Sequence, residues 1–388
     1  MTIAIAVAIA GCTNHGDTTP ASPAFPQPAL TTPISRYSLI VPVSIAGKTY
    51  RFMLDTGAGY TIIDPHVAST ITRRADDNEV PERLHQGFAE GVSTISGTLG
   101  KQDVTFWQSL PLGIGNHMIR SATPWIGLDL SLMTKATGVQ IDGLIGADVF
   151  RQLTWQVDNM NRTLTVLSDV PSTNRYQHCV PYQSAYGQPP EIQLDLQSGN
   201  WVPFRIDTGA LDSFAPLDLL EALHKDGNDI RPIGGSRIVT ANGGRDSAGY
   251  LVDGLSLGGQ AVGRLRFQES AGGLNNLGMG FFSRFDNYVL IPAEMVFCYN
   301  AKNFTRDDGE RLRGIPLMYV NGRIEIGDDT PKDFPEYGLK RGDVLLEVNG
   351  QKPSPADIEE LRERLDSIPQ GKLRILIDRN GARKTIDL

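Results

Sequence analysis

The sequence predicts a mostly β body made of two repeated lobes, followed by a small α+β module. Three observations carry this reading. Gly (41) and Pro (24) are abundant among the 388 residues, which favours many turns and short strands over long helices. An internal repeat runs through the central part of the chain. Residues 314–388 carry a different pattern, in which strand-like alternation surrounds one amphipathic helix.

Bulk properties bound the function. Hydrophobic residues make up 40% and charged residues 21%, so the chain can bury cores. At about 150 residues per domain, the length suggests two or three domains. The net charge is −8 and there is no long Lys/Arg run, which argues against a nucleic-acid partner because phosphate binding needs a basic footprint. No apolar stretch reaches the ~18 residues of a membrane span. Three Cys are too few for a disulfide scaffold or a four-Cys zinc site. The six His show no metal spacing, so neither a metal nor an organic cofactor is expected.

The repeat begins with a strand running into Asp-Thr-Gly-Ala. Arg51-Phe-Met-Leu-Asp55-Thr56-Gly57-Ala58 is matched by Pro203-Phe-Arg-Ile-Asp207-Thr208-Gly209-Ala210. Each copy has a hydroxyl residue six positions after the Asp, Thr61 and Ser213, and a Gly eight positions before it, Gly47 and Gly199. Alternating runs at 39–45 and 192–196 precede those glycines, so each copy reads as a β-hairpin. A second match lies downstream, where Leu144-Ile145-Gly146 pairs with Asn276-Leu277-Gly278. Phe150 and Phe282 follow, then apolar strands expected over 153–167 and 288–297. Gly146 follows Asp55 by 91 residues and Gly278 follows Asp207 by 71, so the lobes share a plan and differ in loop length. One Asp-Thr-Gly is an ordinary turn signal. Two at matched places in a repeat point to a site at the junction of two units.

On these motifs, residues 36–300 resemble the retropepsin-like aspartic peptidases, relatives of pepsin. The resemblance implies two pseudo-symmetric retropepsin-like β-barrel lobes forming a pepsin-like bilobal body, with lobe one over 36–170 and lobe two over 178–300. It also implies a catalytic pair, Asp55 and Asp207. Two carboxyls ~3 Å apart cannot both ionise cheaply and share one proton. The charged member deprotonates a bound water while the neutral member serves the scissile carbonyl. Thr56 and Thr208 would each hydrogen-bond the opposite lobe, Gly57 and Gly209 would allow close backbone approach, and Gly146 and Gly278 would pack beneath the loops.

Ala58 and Ala210 stand where pepsin-like enzymes usually carry a Ser or Thr donating to the carboxylate. Without those donors the charged form is less favoured. The pair is therefore expected to titrate above the pair of pepsin, giving activity at mildly acidic to neutral pH. Flaps over the cleft are expected at 87–97 and 241–249, with plain surface loops as the alternative.

The two ends carry separate readings. Residues 2–11 form an apolar run that suits a signal peptide, and Ile9-Ala10-Gly11-Cys12 resembles the lipobox of bacterial lipoproteins, whose Cys is acylated. No Lys or Arg precedes the run, and a plain secretory signal is the alternative. Residues 1–12 are thus a signal with lipid attachment at Cys12, and the Pro/Thr/Ser-rich segment 13–35 is a tether. The expected location is a bacterial cell envelope, periplasmic and lipid-anchored.

At the other end, 301–313 is a charged linker. In 314–388, Tyr337-Gly-Leu-Lys-Arg-Gly-Asp343-Val-Leu-Leu-Glu-Val-Asn-Gly350 resembles the core signature of bacterial PDZ domains. Ser354 is read as the N-cap of a helix with Pro355 as its first residue. Two closing strands, 372–378 and 382–388, flank an Asn380-Gly381 turn. PDZ domains add a peptide C-terminus beside this helix. The loop for its carboxylate would be Gly314-Ile315-Pro316-Leu317, where Pro316 has no N–H to give. A docking or stabilising module is the alternative.

Cys179 and Cys298 bracket lobe two. In an oxidising compartment they can be bridged, and two buried free thiols are the alternative. Gly254-Leu-Ser256-Leu-Gly258 fits a nucleophile-elbow pattern but lacks a following helix, so it reads as a β-turn. The functional expectation is an aspartic endopeptidase acting on protein or peptide substrates. The rival is a non-catalytic or latent binding protein of the envelope, regulated through the PDZ-like module.

Overall fold

A computed structural model of the chain describes residues 27–89, 92–94, 97–99, 104–240, 243–302, 307–309, 313–327 and 337–388. Cys12, the signal segment and residues 13–26 of the tether lie outside the described residues. Among the described residues, no helix is long and apolar enough to cross a membrane.

The protein is mostly β. In the first lobe, Ile40–Ile45 turns through Ala46 and Gly47, both at positive φ, into Lys48–Leu54. Across the sheet the order is Thr105–Trp107, Trp125–Gly127, Ile62–Ile63, Gly143–Ile145, Lys48–Leu54, Ile40–Ile45, Leu112–Ile114 and His117–Ile119. In the second lobe, Glu191–Asp195 turns through Gly199 into Trp201–Ile206. Its order is Ile230–Thr240, Gly243–Val252, Leu265–Glu269, Ser213–Ala215, Asn276–Leu277, Trp201–Ile206 and Glu191–Asp195, which pairs on with His178–Gln183, while Ser256–Leu257 and Gln260–Ala261 branch from Glu191–Asp195. The parallel pairs fall at the same places. Gly143–Ile145 runs beside Lys48–Leu54 as Asn276–Leu277 runs beside Trp201–Ile206.

The stretches 153–167 and 288–297, expected as single strands, are hairpins. Thr154–Asp158 folds onto Thr163–Leu167 around Arg162, and Asn287–Ile291 onto Val296–Asn300 around Met295; both turn residues sit at positive φ. Polar Asp158, Asn159 and Asn161 break the first apolar run. The inner strands of the hairpins pair with each other, Trp155 opposite Leu290, and so join the lobes.

The ribbon thus formed gains one outer strand on each side. His178–Gln183 pairs with Val296–Asn300, and Pro28–Pro33 with Thr163–Leu167. The latter corrects the extent of the tether, because residues 28–33 belong to the body. Prolines at both ends of an outermost strand cost little, since no further strand needs their N–H. Leu30 packs on the core and Ile34 is buried.

One apolar core runs through both lobes and the ribbon. Its centre is aromatic, with Phe282, Phe285, Tyr288, Phe297 and Tyr299 in contact at ring separations down to 4.7 Å. Each such ring, fully buried, stabilises by roughly 1.5–3 kcal/mol.

Residues 313–388 have a core of their own. Five antiparallel strands, Leu317–Val320, Arg323–Ile326, Val344–Val348, Arg374–Arg379 and Ala382–Asp387, follow in chain order, with Asn380 and Gly381 at positive φ in the last turn. The helix Ile358–Ser367 lays Ile358, Leu361 and Leu365 on this sheet. Ser354 precedes a 3₁₀ turn, Pro355–Asp357, and its side chain makes no cap bond, so the α-helix starts later than its capping signal implied. In the linker, residues 303–306 and 310–312 lie outside the described residues. Asp307 bonds the Arg264 N–H at 2.8 Å and Asp308 pairs with buried Arg284 at 2.7 Å, so its described part is anchored to the second lobe.

Candidate active site

Two turns meet where the lobes face each other. Asp55 ends the strand Lys48–Leu54, and its N–H donates to the Ile145 carbonyl at 3.0 Å. Asp207 ends Trp201–Ile206, and its N–H donates to the Leu277 carbonyl at 3.0 Å. Each aspartate is therefore hung from the strand that leads to its downstream glycine.

The threonines lock the turns across the interface. Thr208 Oγ1 donates to the Leu54 carbonyl at 2.7 Å, and Thr56 Oγ1 donates to the Ile206 carbonyl. The backbone N–H of each threonine donates to the other's hydroxyl, at 3.2 and 3.1 Å. Both are fully buried. The glycines explain the close approach. A Cβ on Gly57 would lie 2.4 Å from Asp207 Cγ, and a Cβ on Gly209 would lie 2.4 Å from Asp55 Cγ. Each carboxyl thus rests on the glycine of the opposite turn.

The supporting shell is built alike on both sides. The Gly146 N–H donates to Thr61 Oγ1 at 3.3 Å, and the Gly278 N–H to Ser213 Oγ at 3.2 Å. Ala147 N–H donates to the Ala58 carbonyl at 2.8 Å, and Met279 N–H to that of Ala210 at 2.7 Å. A Cβ on Gly146 or Gly278 would strike the backbone of Tyr60 or Asp212.

Two residues of this shell were not singled out in the sequence. Asp148 is buried and accepts from Thr61 Oγ1 at 2.8 Å and Ser121 Oγ at 2.9 Å. Asn276 is buried and its Nδ2 donates to Asp207 Oδ2. The signal for Asn276 was present, since a polar residue stands in the apolar slot that Leu144 fills in the first copy. Asp148 had no such signal, because its counterpart is Gly280.

Burial sets the electrostatics. It pushes the Asp55 carboxyl up to about 8, with the charge of Asp207 adding to it and the backbone N–H groups of Ala58 and Gly57 opposing. Burial also raises Asp207, opposed first by Asn276 and then by the N–H groups of Gly209 and Ala210. Burial thus raises both carboxyls, and the charge of one opposes ionisation of the other.

Other sequence-predicted residues lie elsewhere. Cys179 and Cys298 face each other in the ribbon, Cα atoms 4.0 Å apart, and their sulfurs are bonded. The first flap segment is a two-stranded hairpin, Val92–Thr94 with Gly97–Leu99, of which 90–91 and 95–96 lie outside the described residues. The second is the returning arm of a longer hairpin, Ile230–Thr240 with Gly243–Val252; 241–242 lie outside the described residues. Ser256 sits in a small hairpin turned by Gly258 and Gly259. Among the described residues no group of His, Cys, Asp or Glu is arranged to hold a metal.

Residues 41–149 match the family model described as aspartyl protease. The match spans Asp55 through Gly146 and supports an aspartic peptidase. No curated protein matches the chain.

Proposed function

We propose that this protein is an aspartic endopeptidase that cleaves peptide bonds with a water held between Asp55 and Asp207, one aspartate from each of two related lobes. The observation that carries it is reciprocal: each carboxyl lies on the glycine of the other's turn, within a shared threonine lock. The ionised carboxylate takes a proton from water as the water oxygen attacks the scissile carbonyl carbon. The neutral carboxyl gives its proton to the carbonyl oxygen. The resulting gem-diol collapses as the amine leaves with the proton first taken from water, and the second carboxyl recovers its own. No acyl-enzyme forms.

The proposed setting is a bacterial envelope, with the body tethered through a lipidated Cys12. The Cys179–Cys298 bridge suits an oxidising compartment. The C-terminal module is read as PDZ-like. One observation favours a regulatory or docking role for it over peptide capture. The N–H of Gly314, in the expected carboxylate loop, and that of Arg313 just before it both donate to Asp366, at 2.7 and 3.1 Å. Its helix meanwhile reaches both lobes, Glu359 bonding Ser38 and Glu363 bonding Arg266. A latent enzyme switched through this module is the second reading.

The test is cleavage of a mixed peptide library from pH 3 to 8 by the protein and by Asp55→Asn and Asp207→Asn, with folding checked by circular dichroism. Cleavage lost in both folded variants is expected. Wild-type protein that cuts nothing, alone or without residues 313–388, would overturn the proposal.

A further inference from the structure

The two halves of the carboxyl pair are built alike except at one point. Asp55 receives backbone N–H groups from its own turn, with Ala58 N–H at 3.1 Å from Oδ1, and Asp207 receives the same, with Gly209 N–H at 3.1 Å from Oδ1. Beyond these, only Asp207 takes a side-chain hydrogen bond among the described residues. The donor is Asn276, whose Nδ2 lies 2.5 Å from Asp207 Oδ2.

The pairing register shows what the first lobe has instead. Beside Asp55 the register partners run Met53, Leu144, Ile62 and Ile126. Beside Asp207 they run Arg205, Asn276, Phe214 and Gln268. Leu144, the counterpart of Asn276, is apolar and packs in a hydrophobic cluster. The charged groups acting on Asp207 are Asp55 across the interface and Arg205 two residues before it, itself 4.0 Å from Glu191. Arg205 has Met53 as its counterpart, so this difference has the same sense.

An amide aimed nitrogen-first can only donate, and a donor favours the charged form of a carboxyl. Asn276 Oδ1 is buried without a partner among the described residues, so the bond to Asp207 is the contact that orients the amide. Among the described residues nothing equivalent reaches Asp55. The direction of the raised titration of Asp55, with the charge of Asp207 among its causes, agrees with this division.

We propose that Asn276 is a positioning residue that fixes the negative charge of the pair on Asp207 and leaves the proton on Asp55. This rests on the aspartic-peptidase reading and assigns the roles within it. Asp207 is the base that takes the water proton, and Asp55 is the acid that serves the carbonyl oxygen. A near-symmetric pair thereby acquires a direction, and with it a single productive orientation of the substrate carbonyl.

The experiment reads each carboxyl separately. The protein is labelled with 13C at the aspartate carboxyls, and the signals of Asp55 and Asp207 are assigned by their loss in Asp55→Asn and Asp207→Asn. In the wild type Asp207 is expected to show the ionised shift over a pH range where Asp55 shows the protonated one. Asn276→Leu should move Asp207 towards protonation by about one pH unit or more. Leu144→Asn, which places a donor on the other side, should move Asp55 towards ionisation. The acid limb of the pH–activity profile should rise with Asn276→Leu, and Asn276→Gln should restore part of the shift. An Asp207 signal unmoved in folded Asn276→Leu, or a wild type in which Asp55 is the ionised member, overturns the proposal. The titration needs no turnover. An inactive protein with the expected titration would count against the peptidase reading alone.

Discussion

The N–H of Thr56 donates to Thr208 Oγ1 at 3.2 Å, and the N–H of Thr208 donates to Thr56 Oγ1 at 3.1 Å, across the boundary between the lobes. Both hydroxyls pass their own hydrogens on to carbonyls of the facing strand, so neither residue has spare capacity. Replacing Thr56 by Val keeps the shape but strands the buried Ile206 carbonyl and the Thr208 N–H. The expected cost is about 2–6 kcal/mol, from roughly 1–3 for each of the two unsatisfied groups. Thr56→Ser keeps both bonds and should unfold close to wild type. Thermal unfolding of the two variants, with cleavage rates alongside, checks this; equal midpoints would show that the lock contributes nothing.

Gly57 lies against the carboxyl of Asp207. In Gly57→Ala the added methyl would displace that carboxyl, because the clash is with the functional group at 2.4 Å. A displacement of about 1 Å at a reacting group can cost ~100-fold in rate. Cleavage should fall on that order while circular dichroism stays native. Cleavage at the wild-type rate would mean the two turns can separate without consequence.

Burial of Asp55 makes stability depend on pH. Its ordinary carboxyl titrates at 3.8 and the folded one is pushed up to about 8, so between those values the folded state holds a proton that the unfolded chain has released. The native state binds more protons there, and stability falls as pH rises from about 4 to 8. Asp148 and Glu359, both raised by burial, act in the same sense. Asp55→Asn should therefore flatten part of the slope and be more stable than wild type at pH 8. Urea midpoints at pH 4, 6 and 8 measure it; identical slopes would exclude a raised Asp55.

Glu359 accepts hydrogen bonds from Ser38 at 2.7 and 2.8 Å and from Ser35 at 3.2 Å, so it ties the C-terminal helix to the strand that enters the first lobe. Glu359→Ala should release the helix Ile358–Ser367 from the body, at a cost of about 1–3 kcal/mol. Faster hydrogen exchange is expected at 35–39 and along the helix, with the neighbourhood of Asp55 and Asp207 unchanged. Unaltered exchange would mean that Arg162–Glu360 and Arg266–Glu363 hold the module without it.

The Cys179–Cys298 bridge closes a loop with a sequence separation of 119 residues between the outer and inner strands of the ribbon. Reduction should lower stability by about 3–5 kcal/mol, as expected for a loop of this length. The measurement is the urea midpoint with and without dithiothreitol, beside the double variant Cys179→Ser/Cys298→Ser. A midpoint insensitive to both would show that strand pairing alone sets the stability of the ribbon.

Most of the strands and the candidate pair were legible in the chain because their signals are local. A strand that alternates, a glycine that turns it and an Asp-Thr-Gly that ends it are all written within about fifteen residues, and hearing them twice identified Asp55 and Asp207. Turn chemistry was equally local at Asn380-Gly381. Helix capping was legible in part, since Ser354 and Pro355 do open the helix, but its first turn is 3₁₀ and the α-helix proper begins at Ile358.

What stayed hidden depended on partners distant in sequence. Residues 28–33 read as tether because their prolines oppose strands in general, yet an outermost position beside Thr163–Leu167 removes the objection. The hairpin within 153–167 has a local signal in Asp158, Asn159 and Asn161, but the pairing of Trp155 with Leu290 that joins the two hairpins has none. Asp148, with Thr61 and Ser121, and Glu359, with Ser38, are carboxylates whose roles exist only where another segment presents a donor. The same holds within the pair. The repeat makes Asp55 and Asp207 equivalent, and it takes the folded contact of Asn276 with one of them to tell the two apart, because a hydrogen bond spanning 69 residues of chain leaves no periodicity to read.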